Sequence, residues 1–412
     1  MISTDYSNIA VTGIGAISPI GIGFENFTNA AMKSNNGIKK LTLFDTTGYS
    51  NDTAGEVPDL CNIENIKKHK LQRMDRSTQF ICAAALLAVE DAGLVINEKN
   101  KHRVGVIIGT TFGCLKSTSD FDTMSLTQKL PLWVSPSDVP KTTINAAASN
   151  VSIVLGAMGH NTTFCCGNTT MFVAIEHAIE LIDSGKLDAV VVGCVDDLSK
   201  QSYLHHKAIV EQATGKPWQN GSTPFDKRST GYTLAEGAVV FIIEKCPVAN
   251  KSVYVAIDCV SQAFFGDTNK SYFCVPKETE YAHLINKAVH AAGLSLKDID
   301  AVSCSANGWH AFDIVEAGAL KRVFGDAVPP MVSIKSLIGE AYGAGSAFVI
   351  LLAISVAKRQ EIPASINLVA SGLDLKYEVR KREKCLINNV LSISFDPNGD
   401  CACIITSTRG LA

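Results

Sequence analysis

One short pattern occurs twice in this chain, two hundred residues apart. Asp91-Ala92-Gly93-Leu94 closes one amphipathic segment and Ala291-Ala292-Gly293-Leu294 closes another. In each, a glycine follows the last helical residue, where a left-handed backbone ends the helix. Each is followed by a short polar turn and then an apolar run, Val104–Ile108 in one case and Asp300–Cys304 in the other. A repeat at this distance points to two related halves, residues 1–250 and 251–412, dividing near residues 246–255. The other segments keep the same rhythm. Ile9–Gly13, Ala189–Val192, Ala238–Ile243 and Cys401–Thr406 read as strands; Ser77–Asp91, Thr169–Ser184, Tyr281–Ala292 and Gly345–Lys358 read as helices. Continuous apolar strands between helices imply an α/β protein whose sheets are covered on both faces. The stretch 110–145 is the longest irregular region and therefore a candidate for function.

Composition excludes several classes. With 46% hydrophobic and 19% charged residues, the chain buries a large core and is not disordered. Its 31 glycines, with frequent alanine, suit close packing of helices on sheets. A net charge of −3 and the lack of a basic run argue against nucleic acid and against a membrane surface as partners. No apolar stretch reaches the length of a membrane span; the longest, Val190–Cys194 and Phe348–Val356, suit buried elements. Met1-Ile-Ser-Thr-Asp-Tyr6 has no secretory character. The 13 cysteines lack metal-ligand spacing and read as reduced core thiols of a cytoplasmic protein. The adjacent pairs Cys165-Cys166 and His205-His206 do not make a zinc site, so no metal is expected.

Three motifs carry a family resemblance. Thr223-Pro-Phe-Asp-Lys-Arg-Ser-Thr-Gly-Tyr-Thr-Leu-Ala-Glu-Gly237 resembles the PFDxxRxGfxxGEG loop of β-ketoacyl-acyl-carrier-protein synthases. Ser333-Ile-Lys-Ser-Leu-Ile-Gly339 resembles their SxKSxxGH segment, and Arg73-Met-Asp-Arg76 leads into the helix ending at Leu94 as it does in that family. The opening Ala10-Val-Thr-Gly-Ile-Gly15 also fits. The resemblance covers nearly the whole chain. It implies a thiolase-like, five-layered α-β-α-β-α fold of two similar halves.

That family condenses acyl chains with a Cys–His–His set, the Cys thiolate sitting at a helix N-terminus. Here the nucleophile position falls seven residues after Asn161, the last residue of the turn Gly159-His160-Asn161, and 17 residues before Gly185; both counts give Asn168. The segment matching the first His motif is Ser305-Ala-Asn-Gly-Trp-His-Ala-Phe-Asp313-Ile-Val-Glu316, with Ser305 in place of the His. The second His position holds Glu340, while Lys335, Glu316 and Asp313 remain. The glycine-rich loop near the C-terminus becomes Phe395-Asp-Pro-Asn-Gly399. An amide is no thiolate, and Ser and Glu are not neutral imidazoles. By resemblance the chain is therefore similar to the chain-length-factor (ketosynthase-β) subgroup of type II polyketide synthases, whose members pair with an active ketosynthase-α subunit.

The resemblance implies a heterodimer acting on chains carried by acyl carrier protein, with no cofactor of its own. It implies an interface around Phe164, Cys165 and Cys166, and a substrate tunnel closed by Phe112, Leu115 and Phe121. Two other readings stay open. Cys165 or Cys166 is a relocated nucleophile of an independent acyltransferase, or the chain is a scaffold with no tunnel role. Ionic contact between Glu340 and Lys335, and carrier-protein contacts by Arg73, Arg76 and Arg228, are further expectations.

Overall fold

The computed structural model describes residues 8–58, 60, 69, 71, 74–130, 133–218, 221–229, 231–245, 253–266, 275–366 and 383–408. The division between halves at 250/251 lies outside the described residues. On either side of it the same five-strand plan is built twice. The first half contributes β1 (Ile9–Ser18), β2 (Val104–Gly109), β3 (Asn161–Phe164), β4 (Ala189–Asp196) and β5 (Gly237–Lys245). The second contributes β6 (Val255–Phe264), β7 (Ala301–Ser303), β8 (Met331–Val332), β9 (Asn389–Phe395) and β10 (Asp400–Ser407).

The first half-sheet runs β3-β2-β4-β5-β1 and the second β8-β7-β9-β10-β6. In both, the first two neighbour pairs are parallel and the last two antiparallel. The half-sheets meet where Ala10 pairs with Ala256 and Val11 with Val255. A register shift in β1 at Thr12 turns the strand there, and the Thr12 hydroxyl donates to Glu244 at 2.5 Å.

The helices are α1 (Phe24–Met32), α2 (Arg76–Asp91), α3 (Leu115–Thr127), α4 (Ala146–Leu155), α5 (Thr170–Asp183), α6 (Lys200–Thr214), α7 (Glu278–Ala291), α8 (His310–Phe324), α9 (Lys335–Ile338) and α10 (Tyr342–Arg359). The repeated glycine signature marks equivalent helices, α2 and α7. Gly93 and Gly293 have φ of 58° and 67°. The amides of Leu94 and Leu294 reach back to the carbonyls of Val89 and Val289, while those glycines donate to Glu90 and His290. These are paired Schellman endings, and a side chain at either glycine meets the left-handed penalty.

α5 and α10 fill the middle layer, each packing against strands of both half-sheets and against the other. Every residue of α10 from Gly343 to Ala357 is buried. This corrects one expectation. Tyr342–Arg359 is long and apolar enough to cross a membrane, but 83% of it is buried inside the protein, so it is the core helix. α2 and α4 cover the first half-sheet, and α7 and α8 the second, completing the α-β-α-β-α order. A second correction concerns residues 110–145. They are not irregular throughout: α3 and a 3-10 helix over Pro136–Thr142 occupy much of them. Phe112, Leu115, Phe121 and Met124 stand at near-helical spacing in the sequence, but α3 has no buried residue, so that spacing marks no core-facing stripe.

Small residues set the spacing of layers. A Cβ on Gly15 of β1 would lie 1.9 Å from the carbonyl oxygen of Ala84 in α2, and one on Gly13 would lie 2.4 Å from that of Ala88. The obstacle is backbone, so it does not swing aside. Gly15→Ala is expected to lower the urea midpoint, destabilising the fold by about 1–3 kcal/mol through overpacking.

Candidate active site in the β-ketoacyl synthase fold

A cavity of about 920 Å³ opens beside the N-termini of the two central helices. Its walls come from the turn before α5, from α6, from the segment before α8 and from the β9–β10 turn. Asn168, Ser305 and Asp313 all line it, so two segments far apart in the chain converge. Phe112, Cys165 and Cys166 line it too.

Asn168 sits in a tight turn, Gly167–Thr169, that feeds directly into α5. Gly167 has a φ of 54°, and a Cβ there would lie 1.9 Å from Asp396 Oδ2. The glycine therefore serves both the turn and the close approach of Asp396. The Asn168 amide donates to Asp396 Oδ2 at 2.8 Å, and its carbonyl accepts from the Ser394 hydroxyl at 2.5 Å. Asp396 Oδ1 accepts from the Asn398 amide at 2.9 Å, which closes the β9–β10 turn. Burial pushes the Asp396 carboxyl above its ordinary range, and these amide bonds oppose the shift. The Asn168 side chain is quite different: its Oδ1 is buried without a partner.

Ser305 and Glu340 do not play equivalent parts. Ser305 donates its amide to Glu316 Oε1 at 2.7 Å and accepts a long contact, 3.5 Å, from Lys335 Nζ. Glu340 lies behind the cavity wall. Its Oε2 accepts from Lys335 Nζ and from Asn307 Nδ2, both at 2.8 Å, and its Oε1 from the Tyr342 amide at 3.0 Å. Lys335 and Glu340 are both essentially inaccessible to solvent, so the pair is a fully desolvated ion pair. Asp313 accepts amides of Phe225, Asn307 and Gly308 and thereby holds two loops together. Burial pushes Asp313 up to about 7 and Glu316 up to about 8.

Several further expectations meet the geometry. Cys165 and Cys166 are not in the edge strand; β3 ends at Phe164, and both thiols follow it. Cys165 is exposed and donates to the Thr111 carbonyl at 3.4 Å, and Cys166 is half-buried. Burial pushes both thiols up, with nearby Asp side chains adding to it, so neither is activated. The tunnel set divides. Phe112 faces the central cavity, Phe121 lines a second one of about 680 Å³ beside Arg76 and Leu198, and Leu115 belongs to neither.

Arg73 lies outside the described residues. Arg76 spends its guanidinium on buried Glu236, and Arg228 on Asp226. His310 opens α8 and is not among the cavity-lining residues. His205 lines the cavity, whereas His206 is fully buried; Nδ1 of His206 meets the Tyr342 hydroxyl at 2.9 Å, and burial pushes that imidazole down to about 3. No group of three or more potential metal ligands occurs among the described residues.

Asp196 escaped the sequence reading. At the end of β4 it accepts from Thr110 Oγ1 and the amides of Thr111, Phe112 and Gly343, tying the start of α10 to the Phe112 loop. An Asp-Asp pair at the end of an apolar strand carried no signal of that role.

A model of the "Beta-ketoacyl synthase, N-terminal domain" matches residues 6–249, and one of the "Beta-ketoacyl synthase, C-terminal domain" matches residues 258–369. The chain belongs to the β-ketoacyl synthase family and has its thiolase-like fold. It is 30% identical over 388 residues to the 3-oxoacyl-[acyl-carrier-protein] synthase 2 of Vibrio cholerae, covering 91% of this chain and 92% of that one. It is 27% identical to the enzyme of the same name from Coxiella burnetii, covering 97% of this chain and 98% of that one. Among solved structures it superposes on the ishigamide ketosynthase/chain length factor with a TM-score of 0.86 and 25% identity, covering 98% of this chain and 99% of that chain. A type II PKS acyl-carrier protein in complex with its ketosynthase shares the fold, at a TM-score of 0.85 and 21% identity, covering 97% and 99%.

Two outcomes follow from the buried charges. Lys335→Met strands the Glu340 carboxylate and is expected to cost about 3–5 kcal/mol in urea unfolding, most of it recovered in Lys335→Met/Glu340→Gln. Glu316 ionises near 4.5 when unfolded but only near 8 when folded, so the folded state holds the extra proton between those values. Stability therefore falls as pH rises through that window. Glu316→Gln is expected to flatten the fall; an unchanged slope would show that Glu316 is already ionised.

Proposed function

We propose that this chain is a non-condensing, chain-length-factor-type subunit that pairs with an active ketosynthase in type II polyketide or polyene assembly. The observation that carries the reading is Asn168. It stands where the family's motif spacing puts the nucleophile, and its backbone N–H is already taken by Asp396. Without a thiolate, an acyl chain has no atom to which it can transfer. The position before α5 thus keeps the family's geometry without its chemistry. The similarity to a ketosynthase/chain length factor supports the same reading. The similarity to 3-oxoacyl synthases supports the coarser one, that of a relative of acyl-condensing enzymes.

The surface supports a partner subunit. β3 is the last strand of its half-sheet, with one edge unpaired among the described strands. Ile153 of α4 and Met158, just before β3, are exposed, as are Leu126, Leu130, Trp133 and Ile144 on the segments from α3 to α4. Ile153 is 77% exposed and Trp133 61%, apolar surface of the kind that a protein interface covers. We assign this face to the ketosynthase partner, and the chain handled by the pair to acyl carrier protein. In that arrangement Phe112, on the loop held by Asp196, is positioned to limit the growing chain. A cytoplasmic location accords with the ten free thiols among the described residues.

The relocated-nucleophile reading has an accessible sulfur in its favour, Cys165, but a thiol held in its protonated form. Intact-protein mass spectrometry after incubation with acyl- and malonyl-carrier protein separates the two. No covalent adduct is expected; a stoichiometric acyl group on Cys165 or Cys166 would make the chain an acyltransferase. For the partner surface, Ile153→Asp is expected to leave the fold intact and to weaken co-purification with a co-expressed ketosynthase by at least about tenfold. In the paired enzyme, Phe112→Ala is expected to lengthen the product. A product spectrum unchanged by Phe112→Ala and Phe121→Ala, with the complex intact, would leave only the scaffold role.

A further inference from the structure

The central cavity has an electrostatic character opposite to that of a site for an acidic substrate. Among the described residues Asp313, Asp396 and Asp400 line it, no lysine or arginine does, and His205 is the one lining side chain able to carry positive charge. The Lys335 ammonium is paired with Glu340 behind the wall. Asp400 makes no hydrogen bond or ion pair through its carboxylate among the described residues. Asn168 lines the same space at 6% exposure, and its Oδ1 is a buried acceptor lacking a donor. The rest of the wall mixes polar groups, among them Thr111, Gln212, Ser305, Asn307 and Asn398, with a run of aromatic rings. Phe112 meets Tyr342 edge-on at 4.7 Å, Tyr232 meets Trp309 at 5.8 Å, Trp309 meets Phe312 at 5.4 Å and Phe312 meets Phe395 at 5.2 Å.

We propose that this cavity binds a small protonated amine with an aromatic or apolar body. Each feature asks for that chemistry. An ammonium group supplies the missing counter-charge to Asp396 and Asp400, and its N–H groups supply the donor that Asn168 Oδ1 lacks. Aromatic faces attract a desolvated cation and also pack an aromatic ring. A carboxylate ligand such as a malonyl group meets three acids and no lysine or arginine among the described lining residues. Burial raises Asp313 and Asp396; the neighbouring Asp400 adds to the shift at Asp396, while amide hydrogen bonds, joined by Lys335 at Asp313, oppose it. The cavity volume, about 920 Å³, is ample for a ligand of ten to twenty heavy atoms. The inference concerns the cavity of this chain alone and does not depend on its pairing with a second subunit.

Isothermal titration of the full chain near neutral pH, with 2-phenylethylammonium and with 3-phenylpropionate, tests it. The two probes share a ring and a chain and differ in charge. The ammonium probe is expected to bind with one site per chain and at least about tenfold more tightly than the carboxylate. Asp396→Asn and Asn168→Leu are each expected to weaken the ammonium probe by at least about fivefold. Because both positions are buried, Asp400→Asn provides a half-buried counterpart that leaves the Asn168 turn untouched, and it too should weaken binding. Equal or tighter binding of the carboxylate, no binding of the ammonium probe, or ammonium affinity unchanged in folded Asp400→Asn would overturn the proposal.

Discussion

Two apolar helices lie between two half-sheets, and everything else depends on how their N-termini are satisfied. α10 is buried from Gly343 to Ala357, and nine of the 14 residues of α5 are buried. A helix start leaves amides without partners, and water is not there to take them. The chain answers with carboxylates. Asp396 takes the amide of Asn168 ahead of α5, Glu340 takes that of Tyr342, and Asp196 takes that of Gly343. Each acid favours the positive end of a helix dipole while sitting where a charge is costly.

That solution also shapes the site. The start of α5 is engaged with an internal acid, Asp396. Glu340 cannot polarise a ligand carbonyl, because its oxygens are spent on Lys335, Asn307 and the Tyr342 amide. The polar network behind the cavity is thus closed on itself, and the cavity in front is left with acids and aromatic rings.

Much of the architecture was legible from local pattern. The paired helix ends at Gly93 and Gly293 announced a duplicated plan, and the continuous apolar runs marked β2, β4 and β5. Other strands were hidden for a definite reason. β9 reads Asn-Val-Leu-Ser-Ile-Ser-Phe, and its serines break the apolar run. Those serines are buried, and Ser394 is placed to bind the Asn168 carbonyl, so polarity here records a tertiary contact. β6 alternates between buried and half-buried positions and lacks the continuous run of a central strand. α3 has no buried residue, and the near-helical spacing of its apolar residues did not set it apart from a loop.

The sequence by itself determined the repeated plan, the family motifs and the residue types at positions 168, 305 and 340, because spacing along a chain is local information. Only the tertiary structure decided what those residues do. It set the expected Glu340–Lys335 pair behind the cavity wall, brought Asp396 onto the backbone of residue 168, and placed Phe112 and Phe121 on different cavities. The contact of Asp396 with residue 168 joins residues distant in sequence, and a carboxylate acts as ligand, cap or counter-ion according to the donors that the fold brings within 3 Å of it.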